Sequence, residues 1–306
     1  MQVDASESIG DGRQVVSDAG FETRTNSNGR RPVKVTQQPP AMSSLDRLSR
    51  LHPGHGLCRD QEAGAPRLGP MSDYEFRYPS DELAAEHPFV PLQSERLSNE
   101  DMLARAQVLR SDLERRRSVR MFAADPVPQS LIELAIQTAA TAPSGAHKQP
   151  WTFVAISNPH LKRQIREAAE EEERVNYLDN RMNDEWQEAL APLGTDHHKE
   201  FLEIAPWVVV LFEQRYELRP DGERRKNYYV KESCGIAAGL FVAALHNMGL
   251  ATLTHTPSPM VFLTKLLQRP ENERPFVMFP IGFPLPGTLV PDLGRKTLDE
   301  VMVLLD

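Results

Sequence analysis

Residues 116–120, with the sequence RRSVR, carry three arginines and a serine within five positions. Guanidinium groups offer fixed pairs of N–H donors that match phosphate oxygens, and the serine hydroxyl adds a further donor. The segment therefore suits a phosphate-bearing ligand. Taken alone, it also fits a run of solvated charges.

A second segment, residues 142–147 with the sequence APSGAH, follows a predicted helix and ends it at Pro143, Ser144 and Gly145. Gly145 has no Cβ, so its backbone can approach a flat and bulky group closely. An ordinary turn is the alternative interpretation. Together, the basic segment and this turn predict a cofactor site that closes on one anionic ligand.

Residues 170–177, with the sequence EEEERVNY, are acidic and helical in pattern. Glu173 and Tyr177 are four positions apart and therefore share one helix face. Lys199 precedes a predicted strand. A carboxylate, a phenol and an ammonium in one pocket would suit an amino-acid zwitterion, although a solvated acidic face with a surface lysine has the same spacing.

Two later segments also carry polar groups. Thr254, His255 and Thr256 end a predicted strand, where hydroxyls can aim at a ring nitrogen or carbonyl, although the strand propensity of threonine explains the same pattern. Residues 291–296, with the sequence PDLGRK, form a basic loop or turn that contains Arg295.

Hydrophobic periodicity and turn residues predict the elements that must position these groups. Strands alternate with helices, which indicates an α+β or α/β domain with a central sheet. Helices are predicted over residues 98–115, 129–141, 159–176, 231–248 and 261–267. Strands are predicted over residues 151–156, 208–212, 250–254 and 275–282, and a helical or extended arm over residues 297–305.

Composition narrows the class of protein. The chain has 306 residues and a net charge of -8, which argues against general nucleic-acid binding. The sequence contains neither a dinucleotide-binding glycine motif nor a phosphate-binding lysine loop. Its apolar runs fall short of the roughly 20 residues of a membrane span, so we expect no membrane partner. Cys58 and Cys234 lie far apart, which predicts a reducing, cytoplasmic environment.

Residues 1–70 differ from the rest of the chain. They are rich in Gly, Ser, Pro and Gln without a steady apolar period, so we predict a disordered N-terminal extension. The composition changes at Met71, and residues 71–306 are predicted to form the folded domain. One hypothesis makes Met71 the native start, which N-terminal sequencing of the native protein would test.

In their order along the chain, these motifs resemble the iodotyrosine deiodinase branch of the FMN-dependent nitroreductase superfamily. Residues 116–120, 142–147 and 150–153 match the flavin-binding signature, and the acidic helix, Lys199 and residues 254–257 and 291–296 match the branch. The resemblance covers roughly residues 85–305. It implies an FMN-binding α+β fold, with a central sheet flanked by helices, in an arm-exchanged homodimer.

The resemblance also implies roles for single residues. The Thr256 hydroxyl would donate to flavin N5, the Ala146 N–H would donate to the substrate phenolate, and a lid carrying Glu173, Tyr177 and Lys199 would clamp the zwitterion. No metal site is implied. His255 stands where animal members have threonine. The FMN contacts implied are Arg116, Arg117, Ser118, Arg120, Pro143, Ser144, Gly145, Thr254, His255, Thr256 and Arg295.

The activity implied is FMN-dependent reductive dehalogenation of halotyrosines, with 3-iodotyrosine giving tyrosine and iodide. NAD(P)H, or a reductase linked to it, would supply the electrons. One alternative is a general NAD(P)H-dependent nitroreductase or flavin reductase of the same fold. Another is a flavin- or amino-acid-binding module without turnover.

Overall fold

The computed structural model describes residues 79–178 and 181–305. The predicted disordered extension, and the predicted boundary at Met71, lie outside the described residues. The chain divides into two units between Val90 and Pro91. The described part of the first unit contains one short helix, α1 (Asp81–Glu86), which begins where the Ser80 side chain accepts a hydrogen bond from the Leu83 N–H.

The second unit combines helices with a central four-stranded sheet and a small two-stranded hairpin. Its helices are α2 (Asn99–Glu114), α3 (Gln129–Ala140), α4 (Pro159–Leu178), α5 (Asp184–Leu190), α6 (Phe201–Ile204), α7 (Val230–Asn247), α8 (Val261–Leu266) and α9 (Leu298–Val301). Its strands are β1 (Trp151–Ile156), β2 (Trp207–Gln214), β3 (Tyr216–Leu218), β4 (Arg224–Lys226), β5 (Ala251–Thr252) and β6 (Glu273–Gly282). Short 3₁₀ turns cover Gly145–His147 and Ala191–Leu193.

The main sheet has the strand order β1–β2–β6–β5, and all of its neighbouring strands pair antiparallel. Strands β3 and β4 form a separate hairpin. Helices cover both faces of the main sheet. The predicted α+β fold with a helix-flanked central sheet is therefore confirmed.

Strand β2 is buried on both faces because its side chains alternate between two apolar cores. Val208, Val210 and Phe212 pack in the core that includes residues of α4, α6 and α8. Val209 and Leu211 pack in the core that includes residues of α3 and α7. The continuous apolar run at residues 208–212 correctly predicted this doubly buried strand.

The predicted start of α2 and the predicted end of α7 are confirmed. The Ser98 hydroxyl accepts a hydrogen bond from the Asp101 N–H at 3.1 Å, and acidic residues occupy the first turn of α2, as predicted for an N-cap. Helix α7 ends before Gly249, which has a φ of 77° that glycine adopts readily. In the described part of the chain, no helix is both long and apolar enough to cross a bilayer.

The strand predicted over residues 250–254 is shorter than expected. Only Ala251–Thr252 pairs continuously with β6, and an isolated bridge between His255 and Met278 then resumes the same register. Pro280 lies on β6 between these two pairings, and proline has no N–H to donate. The hairpin β3–β4 and the short helices α5 and α6 were not predicted.

Candidate active site

A cleft of about 210 Å³ lies between α4, the segment carrying α5, and the residues that follow β5. Glu173, Tyr177 and Lys199 line it together with Thr254, His255 and Thr256. We call it the clamp cleft. The structure thus brings together three predicted substrate-binding residues and three predicted cofactor-binding residues that are far apart in the sequence.

Lys199 and Glu173 form a buried pair of opposite charges in this cleft. Their Nζ and Oε2 atoms are 3.8 Å apart, and the side chains are 2% and 12% exposed. The Lys199 ammonium also donates to the Asp196 carbonyl oxygen and to the Thr195 hydroxyl, and it lies 5.6 Å from the centre of the Tyr177 ring. The carboxylate, ammonium and phenol predicted to converge are therefore neighbours.

Burial opposes the charged state of each of these three groups. It raises the pKa of Glu173, against the effect of the Lys199 charge, and lowers the pKa of Lys199, against the effect of the Glu173 charge. Burial, followed by the Glu173 charge, raises the pKa of the Tyr177 phenol. A bound ligand with both charges would supply each buried ion with a further counter-charge.

His255 turns its ring away from the solvent. Its backbone N–H donates to the Met278 carbonyl at 2.8 Å, and its carbonyl accepts from the Met278 N–H at 2.9 Å. The ring packs edge-on against Phe201, and burial, followed by the charges of Lys199 and Arg120, lowers its pKa to about 3. The imidazole is therefore neutral at physiological pH, and its Nε2 has no partner among the described residues.

A second cleft, of about 520 Å³, adjoins the clamp cleft, because Leu253 and Thr254 line both. Its wall includes Arg116 and Ser118, and Gly239 on α7. We call it the arginine cleft. The Val119 N–H donates to the Thr252 carbonyl at 3.2 Å, so the basic segment runs beside β5 and its side chains reach the residues that follow that strand.

Positive charges crowd the edge of the arginine cleft. Burial, followed by the charges of Arg295 and Arg117, lowers the pKa of Arg116. In the described part of the chain, no carboxylate forms an ion pair with Arg116, Arg117 or Arg295. Arg295 donates to the carbonyls of Glu114 and Arg116 at 3.0 and 2.8 Å, which holds the C-terminal loop beside the basic segment. An anion such as a phosphate fits this donor set.

The remaining predicted residues occupy separate positions. The Arg117 side chain donates to the Pro291 carbonyl, and Arg120 lines the clamp cleft rather than the arginine cleft. Neither cleft is lined by Pro143, Ser144, Gly145 or Ala146. Within one chain, the predicted turn and the basic segment therefore do not line a common cleft.

The turn itself is tightly packed. A Cβ at Gly145 would lie 2.6 Å from the Tyr228 carbonyl oxygen, so only glycine fits without a shift of backbone. Ala146, His147 and Gln149 have positive φ values of 49°, 53° and 46°, an uncommon conformation for residues with side chains. Such strain persists only where the surrounding structure enforces it.

Comparison with known proteins assigns the chain to a family. The model of the Nitroreductase family matches residues 113–283. An iodotyrosine deiodinase from Haliscomenobacter hydrossis is 53% identical over 216 residues, which cover 71% of this chain and 97% of that protein. The chain belongs to the iodotyrosine deiodinase branch of the nitroreductase family.

Two further similarities support the same family assignment. The iodotyrosine deiodinase of Danio rerio is 43% identical over 221 residues, covering 71% of this chain and 74% of that protein. A crystal structure of oxidized iodotyrosine deiodinase bound to FMN and 3-iodo-L-tyrosine matches with a TM-score of 0.57 and 27% identity, over 65% of this chain and 98% of that one. The resemblance drawn from the motifs is confirmed.

The sequence did not lead us to predict the apolar residues that line the clamp cleft of this iodotyrosine deiodinase relative. Met182, Trp186, Leu190 and Leu193 also line this cleft. Helix α5 carries Trp186 and begins where the Asn183 side chain accepts a hydrogen bond from the Trp186 N–H at 2.9 Å. The sequence Asn-Asp-Glu at residues 183–185 is a helix-start signal that could have revealed this helix.

Proposed function

We propose that this chain catalyses the FMN-dependent reductive dehalogenation of halotyrosines, with 3-iodotyrosine converted to tyrosine and iodide. The observation that carries the proposal is the buried Glu173–Lys199 pair, which lies in the same cleft as Thr256. A general nitroreductase has no need of two buried, opposite charges for an amino-acid zwitterion. The iodotyrosine deiodinases among its relatives support the same activity.

The arginine cleft suits FMN. Its volume of about 520 Å³ lies within the usual range of roughly 300–1,000 Å³ for ligand pockets, and Arg116 and Ser118 supply phosphate donors at its edge. Arg117, Arg120 and Arg295 would add positive charge around the ligand. Thr254, His255 and Thr256 would lie beside the ring system. When bound, FMN supplies the electrons for cleavage of the carbon–halogen bond.

The clamp cleft suits the amino-acid end of the substrate. Glu173 would accept hydrogen bonds from the substrate ammonium, and Lys199 would donate to its carboxylate. Tyr177 would adjoin the same end of the ligand. Closure of the segment 181–195 over the ligand would exclude water and fix the orientation of the aromatic ring, which is how positioning contributes to rate.

Two groups would act on the reacting end. The Thr256 hydroxyl would donate a hydrogen bond to flavin N5, and the Ala146 N–H would donate to the phenolate oxygen. A donor fixed where negative charge develops is a large contributor to rate in enzymes generally. In this assignment Thr256 and Ala146 are the catalytic residues.

We also propose a homodimer with exchanged arms. Residues 143–146 lie outside both clefts of their own chain, so a second copy would have to bring them to the flavin. Gly235 and Gly239 line the arginine cleft, and no neighbouring atom lies within 4 Å of a Cβ placed there, so a second copy would have room to approach the flavin along α7. The exposed apolar residues 301–305 would form the exchanged arm.

Electrons would come from NAD(P)H or an NAD(P)H-linked reductase, and the location would be cytoplasmic. The buried, free thiol of Cys234 is compatible with a reducing environment. Burial raises the pKa of this thiol to about 12, so it is an inert structural group at neutral pH.

The deciding experiment is anaerobic titration of the dithionite-reduced, FMN-loaded protein with 3-iodotyrosine, followed by flavin absorbance and by tyrosine release. We expect reoxidation of the bound flavin with stoichiometric formation of tyrosine, and no reoxidation by L-tyrosine as the matched control. Reduced flavin that ignores 3-iodotyrosine but is reoxidised by nitroaromatic compounds would move the assignment to a nitroreductase. A protein that cannot be loaded with FMN would overturn the interpretation of the arginine cleft.

A further inference from the structure

Helix α4 holds the segment that carries Lys199 through a row of side chains on one face. Lys162, Arg166 and Glu170 succeed one another at intervals of four residues, and Glu173 continues the row. The Lys162 ammonium donates to the carbonyls of Ala205 and Glu203, at 2.5 and 3.0 Å. These contacts fix the end of α6, a few residues beyond Lys199.

Glu170 contacts the backbone of Lys199 directly. Its Oε1 accepts a hydrogen bond from the Lys199 N–H at 2.8 Å. Its Oε2 accepts from Arg166 Nη1 at 2.8 Å, and both side chains are only about one fifth exposed, at 21% and 22%. A charged acceptor makes stronger hydrogen bonds than a neutral one, and bonds to two donors fix its orientation.

Arg166 extends this connection to α6. Its Nε donates to Glu203 Oε2 at 2.8 Å, while Arg163 donates to the other oxygen of Glu203 at 2.9 Å. The chain of contacts from Glu203 through Arg166 and Glu170 thus ends on the peptide group of Lys199. Held at its backbone in this way, Lys199 extends its side chain into the clamp cleft from a fixed point.

We propose that Glu170 is a positioning residue for recognition of the substrate carboxylate, because it fixes the backbone from which Lys199 reaches the ligand. The proposal rests on the proposed function, in which Lys199 binds that carboxylate. Glu170 itself touches no ligand in this assignment. The neighbouring Glu171 points away: its side chain is 64% exposed and pairs with Arg174. Glu171 therefore provides a matched control on the same helix.

The test compares Glu170→Ala, Glu170→Gln and Glu171→Ala by calorimetric titration of the oxidised, FMN-loaded protein. Two ligands are used: 3-iodotyrosine, and 3-iodotyramine, which lacks only the carboxylate. For Glu170→Ala we expect the Kd for 3-iodotyrosine to rise about tenfold, the size of one lost charge-assisted hydrogen bond. The Kd of Glu170→Ala for 3-iodotyramine should stay within about twofold of wild type, because this ligand has no carboxylate for Lys199 to bind. The Kd of Glu171→Ala for either ligand should also stay within about twofold, because Glu171 does not contact Lys199.

Glu170→Gln keeps one oxygen acceptor but cannot serve both Arg166 and Lys199, so its Kd for 3-iodotyrosine should fall between wild type and Glu170→Ala. This variant keeps the proposal testable if the alanine protein does not fold. In a Lys199→Met background, Glu170→Gln should change the Kd for 3-iodotyrosine by less than about twofold, because coupled sites are not additive.

Three results would overturn the positioning role: unchanged 3-iodotyrosine binding in Glu170→Gln, equal losses for both ligands, or additive losses with Lys199→Met. Failure of the proposed function looks different. In that case the wild-type protein itself would not bind 3-iodotyrosine, whatever residue occupies position 170.

Discussion

The Glu173 carboxylate and the Lys199 ammonium lie 3.8 Å apart, and the lysine side chain is only 2% exposed. Desolvation of two ions can outweigh their attraction, so a buried pair is a weak source of stability, whereas removing one partner is costly. Since burial also shifts both groups towards their neutral forms, the pair is better suited to binding a doubly charged ligand than to holding the fold together.

Loss of the Lys199 charge should abolish recognition of the substrate carboxylate. In Lys199→Met we expect the Kd of the oxidised protein for 3-iodotyrosine to rise about 100-fold, because the substrate carboxylate would then be buried in the cleft without a cationic partner. Flavin fluorescence during ligand titration measures this Kd. The exposed Lys231→Met is the control, and an unchanged Kd in Lys199→Met would falsify the clamp.

Protonation of Glu173 should weaken substrate binding at a pH above the ordinary pKa of glutamate. Burial raises its pKa above 4.5, so the carboxylate is lost at a higher pH than usual as the solution is acidified, and the Kd for 3-iodotyrosine should rise there. Titrations across pH in wild type and Glu173→Gln measure the effect. The variant should bind weakly throughout and lack this acidic limb. A limb that persists in Glu173→Gln would assign it to another group.

Gly145 should not tolerate a side chain. A Cβ would approach the Tyr228 carbonyl oxygen to 2.6 Å, so Gly145→Ala should lower the free energy of unfolding by about 2 kcal/mol through overpacking. Denaturant titration measures this change. Gly294→Ala is the control, because no atom lies within 4 Å of a Cβ at that position. Equal stabilities of the two variants would contradict the tight packing of this turn.

The exposed face of α7 that carries Ile236 should form the dimer contact. Ile236 is 46% exposed, so Ile236→Asp should leave the fold of the single chain intact but produce monomers in sedimentation velocity. FMN affinity should fall as well, because the turn at residues 143–146 would no longer reach the flavin of a second copy. Leu218→Asp, on the hairpin, is the control. A dimer that persists in Ile236→Asp would place the interface elsewhere.

Thr256 should affect the reaction more than binding. We expect Thr256→Ala to retain FMN and to bind 3-iodotyrosine nearly as tightly as wild type, while flavin reoxidation slows about 100-fold, as for loss of one fixed donor at a reacting centre. Stopped-flow absorbance of the reduced protein measures this rate. A wild-type rate in the variant would remove Thr256 from the reaction.

Much of the architecture follows from local sequence. The serine N-cap at Ser98 and the apolar run of β2 encode their elements within a few residues, because helix caps and strand alternation depend on neighbouring groups. The length of β5 was less accessible. It depends on Pro280 of the neighbouring strand, which interrupts the pairing expected from residues 250–254 alone.

The sequence by itself determined which chemical groups this protein has available: the arginines of residues 116–120, the Glu173–Tyr177 helix face and the lysine at 199. Only the tertiary structure decided that Lys199 is buried against Glu173, that Glu170 holds its backbone, and that residues 143–146 line neither cleft. Spacing along one helix is fixed by its local geometry. Contacts between distant segments depend on how the helices pack on the sheet, which no local pattern encodes.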